Sequence, residues 1–240
     1  MNFERKKEFQ YGLKKGLPIA IGYLPVSFTF GLMAVSGGLP VWLAIFISLS
    51  NLTSAGQFAG TNLIFAGAGF FEIGLTTFII NIRYMLMSLS LSQKIDSKIG
   101  LGKRLVFSFG ITDETFSVAS MEQGKLSNAY MLGLISGPIT CWSLGTALGA
   151  MICSALPQSL ADAMGIALYG MFIAIIIPPA RKSKAVVVIL LLSIIIHCSI
   201  RYIPIFSFIS SGFRVIIATV LSAGIGAFLF PMEDKEEKNV

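Results

Sequence analysis

Charge is scarce in this sequence. Of its 240 residues, 12% are Asp, Glu, Lys or Arg and 55% are hydrophobic, and the mean hydropathy is +0.80. Soluble domains carry about 25% charged and roughly 45–50% apolar residues, so a soluble globule is excluded. Histidine occurs once, as His197, and the three cysteines, Cys141, Cys153 and Cys198, sit in separate apolar stretches. Most metal constellations need several such ligands at fixed spacing, so no metal or other cofactor is expected, and the cysteines read as buried free thiols. Also missing are the Gly-x-x-x-x-Gly-Lys-Ser/Thr phosphate loop, a nucleophile elbow and a His-Glu-x-x-His pair. A nucleotide-driven pump and an intramembrane hydrolase therefore both lack their chemistry, and the chain reads as a non-enzyme.

Long apolar runs are what the sequence has. Ala185–Ile196 is apolar on every side, unlike the alternating strands of a β-barrel, so the fold class is all-α: a polytopic membrane helix bundle. A crossing takes roughly 20 apolar residues, which allows six to eight transmembrane or re-entrant helices. Windows bounded by charge or turn residues predict helices near 17–36, 41–66, 70–92, 105–120, 128–153, 160–180, 185–201 and 212–231. The organisation expected is a basic N-terminus over 1–16, a helical membrane domain over 17–231 and a polar, disordered tail over 232–240. The first helix is expected to stay as an anchor, because its apolar segment is too long for a signal-peptide core.

The net charge of +6 does not point to nucleic acid, since Lys and Arg gather at helix ends and form no solvated stripe. They report orientation. Arg5 to Lys15, Lys94 to Arg104, and Arg181 to Lys184 are all expected on the cytoplasmic side, with both termini. Full crossing by every window would put the Lys94–Arg104 loop outside. If 41–66 and 105–120 are re-entrant or broken helices returning to their starting side, the conflict disappears and six crossings remain. A short echo also links Gly31-x-Met33, Ser36 and Leu39-Pro40 to Gly149-x-Met151, Ser154 and Leu156-Pro157, as in transporters built from repeats.

Within the apolar windows, polar groups stand out because each needs a partner in hydrocarbon. Asn51 to Asn62 concentrates amides, hydroxyls and glycines around Gln57. Two readings fit: hydrogen bonding between helices, or a broken helix whose Gln57 and freed backbone contact a solute. Asn81 and Arg83 lie near the middle of the 70–92 window, where an arginine costs about 2.5–3.5 kcal/mol. Asp113 and Glu114 are the candidate counter-charges. Adjacent helical residues point about 100° apart, so one carboxylate can pair with Arg83 while the other faces a cavity. The structural alternative is an ion pair that only joins two helices. Glu72, Asp162 and Arg201 lie near helix ends and read as solvated, and His197 as a hydrogen-bonded core residue.

Small residues at Gly133, Gly137, Cys141, Gly145 and Gly149 form a ridge for close helix packing, and Gly56 and Gly60 repeat that spacing. Pro18 and Pro25 are expected to kink or break the first helix.

Gly16-Leu-Pro18, Gly22-Tyr-Leu-Pro25, Ser54-Ala-Gly-Gln57-Phe, Asn81-Ile-Arg83-Tyr84 and Thr112-Asp113-Glu114-Thr-Phe116, in that order, resemble the AzlC family, the large subunit of branched-chain amino-acid exporters. The resemblance covers the first half of the chain. It implies export of leucine, isoleucine, valine or related small amino acids from an inner or plasma membrane, with a small AzlD-type membrane subunit as partner. A zwitterion needs both signs of charge and an apolar pocket. Gln57, Asn81, Arg83, Asp113 and Glu114 are the candidate substrate-binding residues, and Asp113 or Glu114 the candidate proton carrier. A channel and a non-transporting assembly subunit are the alternatives.

Overall fold

The computed structural model of the chain describes residues 3–153 and 183–231, with positions 173, 176, 177, 180 and 181 between them. Most of the expected helix at 160–180, Asp162, the echo residues from Ser154 onward and the tail at 232–240 fall outside the described residues. All regular structure within them is helical: α1 (Phe3–Ser36), α2 (Val41–Ser50), α3 (Ser54–Phe65), α4 (Phe70–Ser92), α5 (Leu101–Ser108), α6 (Asp113–Met121), α7 (Asn128–Ile152), α8 (Lys184–Tyr202) and α9 (Ser211–Leu229). Five of these, α1, α4, α7, α8 and α9, are long and apolar enough to cross a membrane.

At the centre, α1 and α7 run parallel in close contact. The backbone of Tyr130 and Leu134 presses on Gly12, and that of Thr146 and Ala150 on Gly31. Reciprocally, Gly133 rests on Phe9 and Leu13, Gly145 on Leu24 and Ser27, and Gly149 on Phe28. The ridge foreseen on α7 is thus the seam with α1, and a Cβ at any of these positions would push the two backbones apart. Gly137 meets Ala20 on the same seam. The echoed glycines, Gly31 and Gly149, both lie on this seam, Gly31 on α7 and Gly149 on α1.

Two expectations about α1 need correcting. The helix begins at Phe3, so the basic residues 5–15 ride on it and do not precede it; Gly12 and Gly16 need helical geometry to reach α7. Pro18 and Pro25 also lie inside an unbroken helix. Each removes one intrahelical donor, a loss tolerated where a neighbouring helix supports the segment.

The breaks occur elsewhere. Asn51 and Thr53 are extended, separating α2 from α3, and Phe109–Thr112 separates α5 from α6. Both pairs are re-entrant hairpins. α2 starts where α1 ends and descends until Ser48 meets Thr146. α3 then climbs back along α1, with Phe58 against Phe30 and Phe65 against Gly37. From the other face, α5 descends until Gly110 meets Ile135 of α7. α6 returns from Asp113, beside Arg83, to Ser120, whose carbonyl accepts from Lys94 Nζ at 2.7 Å. The 41–66 and 105–120 windows therefore return to their starting sides.

α8 and α9 form an antiparallel pair set against α4. Glu72, at the start of α4, accepts from Ser210 Oγ at 2.5 Å and from the Gly212 N–H at 2.7 Å. A carboxylate on a helix N-terminus satisfies free donors and complements the dipole, so Glu72 docks α9 on α4 and is more than a solvated helix end.

Candidate functional site

The tips of the two hairpins meet in the middle of the bundle, and a cavity of about 730 Å³ lies between them. That is a size suited to a small organic solute. Pro18, Ile19, Gly22, Tyr23 and Val26 of α1 form one wall, with Leu52 from the α2–α3 break and Trp142 of α7. Ser54 and Ala55 open α3 on one side, Thr112, Asp113 and Glu114 open α6 on the other, and Arg83 and Tyr84 reach in from α4. Arg83 and Trp142 each sit near the midpoint of their helices, so the cavity lies at mid-depth.

The electrostatics follow from the pairing. Arg83 Nη1 is 2.7 Å from Asp113 Oδ2, with the two side chains 42% and 45% exposed. The pair is open to the cavity and is not a sealed bridge. Arg83 also donates to the Tyr84 hydroxyl at 3.3 Å and lies over its ring. Glu114 has a neutral partner: Tyr23 donates to its Oε2 at 2.5 Å and stands 2.6 Å from Thr112 Oγ1. One acid pairs with Arg83 and the next faces the cavity, as adjacent positions on a helix require.

Helix capping positions these groups. Thr112 accepts from the Thr115 N–H while the Thr115 hydroxyl accepts from the Thr112 N–H, a reciprocal box that starts α6 where its two acids enter the cavity. α3 starts differently. Thr53 makes no side-chain cap, and no acid lies in the first turn, so its N-terminal donors and the positive end of its dipole face the cavity without a counter-charge. Three buried atoms nearby have no protein partner: Ser54 Oγ, Asn81 Oδ1 and Arg83 Nε.

Of the residues expected at the site, Arg83, Asp113 and Glu114 converge on the cavity. Asn81 lies one shell back, its amide against Gly56 and 3.5 Å from Thr53 Oγ1. Gln57 is fully buried: its Nε2 donates to Ser48 and its Oε1 accepts from Trp142 Nε1 at 3.2 Å. It touches the cavity only through Trp142. Gly56 and Gly60 serve packing, on Asn81 and Thr77 of α4. His197 is on α8, away from the site. Tyr23, Ser54, Tyr84, Thr112 and Trp142 line the cavity without having been foreseen; the motifs Gly22-Tyr-Leu-Pro25 and Asn81-Ile-Arg83-Tyr84 were the available signal for the two tyrosines. Among the described residues, no group of three or more His, Cys, Asp or Glu could hold a metal ion.

The AzlC protein family model matches residues 18–156, which hold the whole cavity wall and both hairpins. The inner membrane protein YgaZ of Escherichia coli is 30% identical over 184 residues, 74% of this chain and 75% of YgaZ. An uncharacterized membrane protein of Archaeoglobus fulgidus is 30% identical over 172 residues, 71% of this chain and 75% of its own length. One from Helicobacter pylori is 25% identical over 150 residues, 61% and 64% of the two chains. No solved structure gives a significant match.

Proposed function

The chain belongs to the AzlC family of membrane proteins, and on that footing we propose that it is a secondary carrier exporting branched-chain or other small amino acids. The observation that carries this reading is the cavity itself, at mid-depth, reached from each face by a hairpin tip and lined by charges of both signs beside an apolar wall. Discontinuous helices that meet near the bilayer midplane are a recurring way to build a solute site.

A zwitterion suits the division of the walls. The uncapped start of α3 and the guanidinium of Arg83 offer donors to a carboxylate. Asp113 and Glu114 offer acceptors to an ammonium group, and Val26, Leu52 and Trp142 offer apolar surface to a side chain. Asp113 is engaged by Arg83 and Glu114 by the Tyr23 hydroxyl, and in this reading one of the two carries the proton. Without a nucleotide motif, the driving force is an ion gradient or the solute gradient. A small AzlD-type membrane subunit completes the exporter in this reading.

Leucine efflux from preloaded cells expressing this chain with its small subunit tests the proposal. Saturable efflux well above that of cells with an empty vector is expected. Efflux of leucine, isoleucine and valine at background, with both subunits in the membrane, would contradict it.

A further inference from the structure

Gly22 stands apart from the other glycines of α1. Gly12, Gly16 and Gly31 each press against the backbone of α7, where any Cβ would collide. A Cβ on Gly22 would meet nothing within 4 Å. Packing therefore does not call for glycine there, and glycine in a helix interior is among the least stabilising choices. What surrounds the position is the cavity: Gly22 lies on its wall one turn from Pro18 and one turn from Val26, and the charged groups of α4 and α6 line the same cavity.

We infer that Gly22 sets the size of solute the carrier accepts, its missing side chain being the space that the apolar end of the solute fills. This rests on the transport reading above and adds a residue to it. With the charged end of the solute held by Arg83, Asp113 and Glu114, the opposite end points to the α1 wall, and every carbon added at position 22 is taken from that space. Larger solutes are excluded first. Val26, one turn further along, is the counterpart whose trimming widens the same wall.

The test is a panel of solutes, alanine, valine, leucine and phenylalanine, in efflux from cells expressing the full chain with its small subunit. Gly22→Leu is expected to lower leucine efflux relative to alanine efflux by about tenfold or more, the scale on which a pocket discriminates carbon groups. Gly22→Ala shifts the ratio in the same direction by less, while the purified protein melts at or above the wild-type temperature. Val26→Ala raises phenylalanine efflux relative to leucine, a gain that misfolding cannot mimic. Unchanged solute ratios in all three variants overturn the inference even if total rates fall, and leave the transport reading standing. A wild-type protein that moves none of the four solutes overturns both.

Discussion

Arg83 decides whether the site is built for a passenger or for stability. An ion pair that only joined two helices would be sealed, and losing one partner of a sealed pair costs about 3–5 kcal/mol. Here both side chains are close to half exposed, and pairs of that kind are worth about 0–1 kcal/mol. Arg83→Ala is therefore expected to abolish leucine efflux while lowering stability by no more than about 1 kcal/mol, measured by thermal or denaturant unfolding in detergent. Loss of stability with residual transport would assign the arginine a structural role. The cost of a guanidinium at membrane depth made this residue legible from sequence, and Asp113 and Glu114 followed as its counter-charges. Trp142 was not legible, because an aromatic residue in an apolar run looks the same whether it faces a core, lipid or a cavity; Tyr23 had only its place in the motif Gly22-Tyr-Leu-Pro25 as a signal.

The elements that carry the site are the hairpins, and hydrogen bonds hold the first of them in place. Ser48, Thr146 and Ser27 form a buried chain, with Ser48 Oγ 2.7 Å from Thr146 and Thr146 donating to the Ser27 carbonyl at 3.3 Å. Gln57 ties α3 to the same chain through Ser48 and to α7 through Trp142. Gln57→Leu leaves the Trp142 Nε1 donor without its acceptor and takes from Ser48 Oγ the donor it accepts from, at about 1–3 kcal/mol for each buried group left unpaired. The expected result is a lower melting temperature, with the affinity for leucine changed much less than by Arg83→Ala. An affinity loss equal to that of Arg83→Ala, at unchanged stability, would move Gln57 into the binding site. Helix type and the α4 boundaries were readable from the run between Gly69 and Gln93. The breaks were harder: neither falls at a proline, and although the second holds Gly110, a lone glycine in a chain with so many others does not mark one. Asn51–Thr53 and Phe109–Thr112 break because tertiary contacts turn each hairpin tip back at the cavity, which a linear pattern does not record.

At the scale of the whole molecule, the two hairpins bring the basic clusters to one face. α1, α4 and α7 cross while α2–α3 and α5–α6 return, so the start of α1, the 94–104 loop, Lys125 and Lys184 all gather at one face. The end of α9 lies there too, as its start is docked on Glu72 at the opposite face. Basic residues mark the cytoplasmic face, so single cysteines at 98 and 125, in a chain whose native cysteines are replaced, are expected to resist a membrane-impermeant reagent in intact cells. Cysteines at 67 and 207 should react. The reverse pattern would invert the assignment, and labelling of 98 with protection of 67 and 125 would refute the re-entrant path. Counting apolar windows exposed the conflict in the sequence; the backbone path that removes it rests on contacts such as Phe65 on Gly37, between residues far apart along the chain.

The central claim is that a polar cleft at mid-depth binds and moves an amino acid with the help of its carboxylates. It is tested most directly by leucine transport into and out of proteoliposomes under an imposed pH gradient, comparing wild type with the Asp113→Asn, Glu114→Gln double variant. Gradient-driven accumulation is expected in the wild type and none in the double variant. Undiminished pH-driven transport by the double variant would contradict it.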